Sequence, residues 1–178
     1  MAPEIQNILT TVDLDCPLDL HYIVRNCGNV EYKPTIFNGL TMCIRNPKST
    51  ANIFTTGKIV CLGTRDKASA RVATRKFARI IQKLGFPVKF KNFRITNIVA
   101  STALDFRPDL YSFYRNNQPN VDFNVELFPG LVYRNGVTII VFKSGKVILT
   151  NAKTREEIFN AYDAFYQRIS INRGGNTE

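Results

Sequence analysis

Ile53-Phe54-Thr55-Thr56-Gly57-Lys58-Ile59-Val60 returns 88 residues later as Val141-Phe142-Lys143-Ser144-Gly145-Lys146-Val147-Ile148. Both copies read as β-rich runs around a hairpin turn whose centre is glycine, the residue that tolerates positive φ. Two further echoes keep the same order and nearly the same spacing. Asn7-Ile8-Leu9 recurs as Asn97-Ile98-Val99, and Phe37-Asn38-Gly39-Leu40 recurs as Phe128-Pro129-Gly130-Leu131. Constant order at near-constant spacing means a duplicated unit, and a period of about 90 residues is far too long for a solenoid repeat. Each copy must therefore be a half with its own helices and strands.

Outward from the hairpins, each copy opens on a short strand, over residues 5–12 or 95–101. A helix follows. Asp19 can cap a turn that buries Leu20, Ile23, Val24 and Cys27, and Asp109 stands likewise before Leu110, Phe113 and Tyr114. Strands are then expected within 36–44 and 52–62, and again within 126–133 and 137–150. Each copy closes with an amphipathic helix. Its buried stripe is Ala73, Phe77, Ile80, Ile81 and Leu84 in the first, and Ile158, Ala161, Tyr162, Phe165 and Ile169 in the second. Thr154 with Glu157 forms a capping box that fixes the second start. Strand, helix, antiparallel strands, helix predicts the α+β class, with the helices on one face of a sheet. Residues 5–94 form the first repeat and 95–171 the second, together one domain, with flexible ends at 1–4 and 172–178.

The 178 residues carry 24 Lys and Arg against 14 Asp and Glu, a formal charge of +10. Residues 65–94 hold ten of the basic residues and the single acid Asp66, a field that favours a polyanion or an acidic protein. Arg71, Arg75, Arg79 and Lys83 lie four apart on one helix; a solvated face and a docking face are equally compatible with that spacing. Cys16, Cys27, Cys43 and Cys61 all lie in the first copy without metal-ligand spacing, so neither a metal site nor a disulfide framework is expected, and the chain is expected to be intracellular and reduced. No stretch approaches the ~20 apolar residues of a membrane span, and no membrane association is expected. Neither a nucleotide loop nor a nucleophile elbow is present, and His21 has no base or nucleophile beside it in sequence. The chain reads as a binding protein without cofactor, not an enzyme.

Strand alternation identifies the binding face. If Ile53, Ile59 and Cys61 face the helices, then Asn52, Phe54, Val60 and Leu62 face away from them, as do Ile140, Phe142, Ile148 and Thr150. Asn7 and Leu9 join the first set, and Asn97 and Val99 the second. Core packing is the commoner explanation for any one such residue. The set is another matter: apolar, β-branched, nearly free of charge, with an Asn near each centre. Phe37, Phe54, Phe128 and Phe142 fall in equivalent pairs, and Gly39 and Gly130 ease close backbone approach beside them. Symmetric pairs suit a ligand of approximate twofold symmetry, and the minor groove of double-stranded DNA is one. It presents acceptors at every A·T pair, and apolar wedges can enter its base steps. Arg45, Lys58, Arg134 and Lys146 on the turns and rims would hold phosphates, with Gln6, Thr56 and Ser144 alongside.

At this point the residues resemble the TATA-box-binding protein (TBP) family over nearly the whole chain. The resemblance is carried by Gln6-Asn7-Ile8, Glu31-Tyr32 with Pro34, Ile53-Phe54, Gly57-Lys58, Arg75-Lys76, the run from Ala78 to Phe86, Asn97-Ile98-Val99, the run from Glu126 to Leu131, Phe142, Ser144-Gly145-Lys146 and Arg155-Glu156-Glu157-Ile158. It implies a saddle-shaped α+β domain whose concave ten-stranded sheet sits on the minor groove of promoter DNA in the nucleus. Carried over by position, Phe37 with Phe54 and Phe128 with Phe142 are intercalating pairs. Asn7, Leu9, Val60, Asn97, Val99, Ile140, Ile148 and Thr150 contact bases. The resemblance further implies that Glu126 and Leu127 meet TFIIB, and that the basic helix with Arg71, Arg75, Lys76, Arg79 and Lys83 meets TFIIA, TBP-associated factors and regulators. A weak homodimer through the concave face is expected without DNA.

Departures from the family pattern fall on the same face. Leu62 stands where the symmetry mate of Thr150 is usual, Asn52 where an apolar groove residue is usual, and Cys43 in place of an Arg; Thr35 and Ile36 replace basic residues. Residues 134–138 form a shorter connection, and 102–122 diverge apart from Asp105-Phe106. These changes bear on base selectivity and partner contacts, and make the chain a divergent member or a related factor. Three other readings compete: a sheet stacking single-stranded RNA, against which the symmetric wedges argue; a nucleic-acid enzyme, for which no acid, base or nucleophile set exists; and a paralogue acting mainly through proteins at non-TATA promoters.

Overall fold

The computed structural model describes residues 1–175. It divides into two compact units, Asn7–Thr96 and a second made of Met1–Gln6 with the chain from Asn97 onward. The first unit carries β1 (Glu4–Asp13, whose first residues belong to the other unit), α1 (Leu20–Asn26), β2 (Val30–Glu31), β3 (Leu40–Arg45), β4 (Lys48–Ile53), β5 (Lys58–Thr64) and α2 (Lys67–Lys83). The second repeats the order as β6 (Lys91–Ala103, whose residues up to Thr96 belong to the first unit), α3 (Leu110–Asn116), β7 (Val121–Asp122), β8 (Leu131–Asn135), β9 (Val137–Val141), β10 (Lys146–Ala152) and α4 (Arg155–Ile169). Within the first unit the antiparallel strands lie in the order β2-β3-β4-β5-β1, and within the second β6-β10-β9-β8-β7. The expected α+β class, with strand, helix, strands and helix in each copy, is what the chain forms.

Local chemistry sets the helix starts. Asp19 and Asp109 accept from the backbone N–H groups of Tyr22 and Ser112, and Asp66 accepts from that of Ser69. Each satisfies a donor that the first helical turn leaves orphaned. At α4 the capping box is offset by one residue: Thr154 Oγ1 accepts from Glu157 N, but Glu157 Oε2 accepts from Lys153 N, not from the cap itself. The hydrogen bonds from Ser69 and Ser112 hold the Asp66 and Asp109 carboxyls below the usual carboxylate range. A lowered folded pKa contributes stability that is full above the ordinary value and is lost as pH falls through the folded one. Asp66→Ala and Asp109→Ala should each cost about 1 kcal/mol at neutral pH. In thermal melts that difference from wild type should shrink from about pH 4 downward.

Strand boundaries depart from the sequence expectation at several points. The expected strand over 36–44 begins only at Leu40, because Lys33 O accepts from both Ile36 N and Phe37 N and folds that segment into a turn. Phe37 thus sits on a loop ahead of β3. The run 52–62 is two strands, and the first of them starts earlier, at Lys48, paired with Arg45 across a two-residue turn. The second copy does the same: Phe128 N donates to Asn124 O, and β8 begins at Leu131.

Alternation across β4 and β5 buries Ser49, Ala51, Ile53, Ile59 and Cys61 on the helix side and leaves Thr50, Asn52, Val60 and Leu62 half-buried on the other. β9 and β10 repeat this with Ile139, Val141, Val147 and Leu149 inside. Phe77 and Ile81 of α2 complete the first core, and Phe113, Phe165 and Ile169 the second; all are fully or almost fully buried. Each such side chain adds roughly 1.5–3 kcal/mol of burial, so packing and not helix propensity fixes these helices.

The ends are tied at several points. Thr102 Oγ1 donates to the Met1 carbonyl, Gly174 N to the Arg107 carbonyl, and Arg173 pairs with Pro108. The remainder of the expected loose terminus, 176–178, lies outside the described residues.

Candidate nucleic-acid interface

On the sheet face away from the helices, each unit builds the same device. In the first unit Phe37 comes from the turn before β3 and Phe54 from the end of β4, and their rings meet edge to face with centroids 5.8 Å apart. In the second, Phe128 and Phe142 meet at 5.9 Å. Such pairs hold one another in place. Phe37 is 42 % exposed and Phe128 41 %, an exposure that leaves one large apolar ring in each unit available to a ligand.

The glycines beside them are there for space. A Cβ on Gly39 would stand 2.7 Å from Phe37 Cε1 and 3.0 Å from Phe54 Cε1. On Gly130 it would stand 2.7 Å from Phe128 Cε1 and 2.9 Å from Ile140 Cγ2. Neither glycine has positive φ, so the requirement is steric. Gly130→Ala should displace the Phe128 ring or cost about 1–3 kcal/mol in urea unfolding, whereas Gly28→Ala, which meets nothing within 4 Å, should change little.

Asn7 and Asn97 are fixed by irregularities in the ladders. The register of β1 against β5 shifts between Ile8 and Thr10, and that of β10 against β6 between Leu149 and Ala152. Gly63 and Asn151 occupy the bulges with φ of 102° and 62°. A bulge leaves an amide without its ladder partner. Asn7 Oδ1 accepts from Gly63 N at 2.7 Å and Asn97 Oδ1 from Asn151 N at 2.9 Å. Because a backbone N–H can only donate, both carboxamide oxygens are assigned and each Nδ2 remains a donor. Asn97 Nδ2 donates to Thr150 Oγ1 at 3.0 Å. In the first unit Leu62 takes the place of that threonine and offers no hydroxyl.

The remaining expected face residues lie in cross-strand rows. Val60 pairs with Asn52, which pairs with Thr41; Leu62 pairs with Thr50, which pairs with Cys43. The second unit has Ile148, Ile140 and Val132, then Thr150, Thr138 and Arg134. Leu9 and Val99 are half-buried on β1 and β6, the end strands in the order of their units. Arg45, Thr56, Lys58, Arg134, Ser144 and Lys146 are exposed, and Gln6 Nε2 reaches the Glu4 carbonyl at 3.4 Å. Sequence reasoning missed Thr41, Thr50, Val132 and Thr138, which period-2 alternation along correctly bounded strands would have found. It also missed Arg94, which lines a cavity of about 280 Å³ with Thr56 and Lys58.

On α2, Arg71 lies 5.3 Å over the Phe93 ring and Arg75 5.6 Å over Phe90, while Lys76 Nζ donates to the Asn46 carbonyl. Arg79 and Lys83 are exposed. Stacked guanidiniums keep their charge and give up mobility. Among the described residues the carboxylates in ion pairs are Glu31 with Lys33, and Asp15 with Lys91 and Lys89. The hydrogen bond from Lys91, reinforced by its charge, holds the Asp15 carboxyl below its ordinary range. The cations of α2 thus have no carboxylate partner among the described residues. In the second unit, the turn before β8 exposes Glu126 and Leu127, the latter 84 %. Among the described residues no group of three His, Cys, Asp or Glu could hold a metal, and no helix is long and apolar enough to cross a membrane.

The geometry defines a duplicated α+β module: two equivalent open sheet faces, each with a phenylalanine pair and an asparagine held at a bulge. The model of the family "Transcription factor TFIID (or TATA-binding protein, TBP)" matches residues 2–84 and 92–171, and the chain belongs to that family of transcription factors. It is 46 % identical over 176 residues to TATA-box-binding protein 1 of Triticum aestivum, covering 97 % of this chain and 76 % of the relative. The TATA-box-binding protein of Schizosaccharomyces pombe is 46 % identical over 173 residues, with 96 % and 75 % covered. TATA box-binding protein-like 2 of Takifugu rubripes is 45 % identical over 169 residues; these are 93 % of this chain but only 52 % of that protein. The solved Methanococcus jannaschii TBP superposes with a TM-score of 0.79 at 28 % identity, covering 96 % of this chain and 99 % of that one. Family and fold are those of a transcription factor, not of an enzyme class.

Proposed function

We propose that this chain binds A·T-rich, TATA-like promoter DNA in the minor groove, bends it by phenylalanine intercalation, and nucleates preinitiation complex assembly in the nucleus. One observation carries the reading: the wedge pair, the glycine beneath it and the bulge-bound asparagine are built twice, in the same order. An object of approximate twofold symmetry is what such a duplicate suits, and each A·T pair offers the acceptors that an Nδ2 donor needs. Phe37 with Phe54 and Phe128 with Phe142 are the wedges. Asn7, Leu9, Val60, Asn97, Val99, Ile140, Ile148 and Thr150 meet the base edges, while Gln6, Arg45, Thr56, Lys58, Arg134, Ser144 and Lys146 meet phosphates. The relatives named for the TATA box support the same ligand.

The cationic α2 surface with Arg71, Arg75, Lys76, Arg79 and Lys83 takes TFIIA-like and regulatory partners of acidic character, TBP-associated factors among them. Glu126 and Leu127 take a TFIIB-like one. Without DNA, the apolar faces drive weak self-association. The test is the end-to-end distance of a doubly labelled A·T-rich duplex by fluorescence transfer. Shortening on binding, absent with a G·C-only duplex, is the expected result; binding without shortening sinks the mechanism. A second reading is favoured by Asn52, Leu62 and Cys43: a paralogue that works mainly through protein partners at non-TATA promoters. That reading predicts weak A·T binding and full partner binding.

A further inference from the structure

The row Thr41–Asn52–Val60 on the first unit and the row Val132–Ile140–Ile148 on the second occupy the same place in the duplicated fold. The second row has no polar side-chain atom. In the first, Thr41 Oγ1 donates to Asn52 Oδ1 at 3.2 Å across the β3–β4 ladder, and both residues are half-buried on the open face. The molecule therefore carries its own comparison: one row that can exchange hydrogen bonds with a ligand, and one that cannot.

We propose that Asn52, positioned by Thr41, lets the first unit accept a G·C pair in the minor groove at the place its row covers, whereas the second unit accepts only A·T there. This rests on the minor-groove reading above. The guanine N2 amino group is the feature of the minor groove that sets G·C apart from A·T. Pressed against Val132, Ile140 and Ile148, that amino group would lose its water and find no acceptor, a full desolvation penalty. Against Asn52 it meets Oδ1, which keeps a lone pair after accepting from Thr41, while Nδ2 still donates to purine N3 or pyrimidine O2. Turning the carboxamide over makes Nδ2 the donor to the Thr41 hydroxyl and exchanges the places of the two atoms, still leaving one N–H donor and an oxygen acceptor free. On an A·T pair the donor is used and the acceptor is idle, so the row tolerates both pairs. A site built to hydrogen-bond discriminates by what it leaves unpaired, and here the unpaired group belongs to the DNA.

The test uses the whole chain and a pseudo-palindromic A·T duplex into which one G·C pair, or two at mirrored places, is moved along the site, with affinity read by fluorescence anisotropy at fixed salt. At one place a single G·C pair in either half should cost less than about threefold, since the protein can set its first unit over it; G·C in both halves should cost about tenfold or more. Asn52→Ile, which copies the second unit's residue, should make the single pair cost about tenfold too. Inosine in place of that guanine, which lacks the amino group, should restore the variant's affinity. The reciprocal Ile140→Asn should relieve the penalty of the double substitution. Equal single-pair costs for wild type and Asn52→Ile, or no relief with inosine, overturn the proposal. Failure of wild type to bind even the all-A·T duplex overturns the minor-groove reading itself.

Discussion

Phe128→Ala combined with Phe142→Ala should leave DNA bound but unbent at the second unit's end, with the fluorescence-transfer change cut to about half and affinity lowered at least about a hundredfold. The size follows from what the rings do. Each pair offers two large apolar side chains to an unstacked base step, and burying an aromatic side chain is worth roughly 1.5–3 kcal/mol. Two rings lost together amount to about 3 kcal/mol or more, which is two decades in affinity. The bend is also the condition for burying the rest of the sheet face, so the loss exceeds the rings' own area. The control is Phe37→Ala with Phe54→Ala, which should do the same at the first unit's end. Bending left intact by both double variants would remove the wedges from the mechanism. Circular dichroism should match wild type, because Phe128 is 41 % exposed and on a turn rather than in a core.

The largest effect on stability should come from Phe113→Ala, at about 3–5 kcal/mol. Phe113 is fully buried and packs edge to face against both Tyr133, at 5.6 Å, and Phe165, at 5.7 Å. It ties α3 to β8 and α4 at once. Truncation leaves a cavity that three separate elements border, and such a site collapses poorly. Urea denaturation should show a midpoint lowered by more than 1 M for a slope of ~2–3 kcal/mol/M. Phe159→Ala is the comparison: that ring lies beneath Arg155 at 4.9 Å, is half-buried, and should cost far less.

Much of the fold is legible in the sequence. The repeated hairpins, the Asp caps and the closing helices are local signals, and each sits where periodicity or capping chemistry put it. The phenylalanine pairs are legible because the duplication marks them twice, and each pair is in ring contact. What escaped was non-local. Thr41 is unremarkable in sequence and matters only because register sets it opposite Asn52. The start of β4 at Lys48 is invisible because the strand's opening residues include the small Ser49, Thr50 and Ala51, which carry little hydrophobic signal. The sequence pattern places Phe37 in a strand, whereas the bonds to the Lys33 carbonyl put it on a turn. The bulges are hidden too: the expected strand stops at Thr150, whereas β10 runs on to Ala152 through Asn151 at φ 62°.

Those bulges say something about direction along a promoter. Asn7 and Asn97 each have their oxygen turned to a backbone amide at a bulge, and on the proposed reading the group each turns to DNA is its Nδ2 donor. A donor sees the same acceptors in A·T and T·A, and a duplex turned end for end looks unchanged to both. On the proposed reading, the arrow of transcription cannot be written by these two bulge-bound asparagines. It must be carried by unlike neighbours, Leu62 against Thr150 and Asn52 against Ile140, and in this chain the compass and the anchor are different residues.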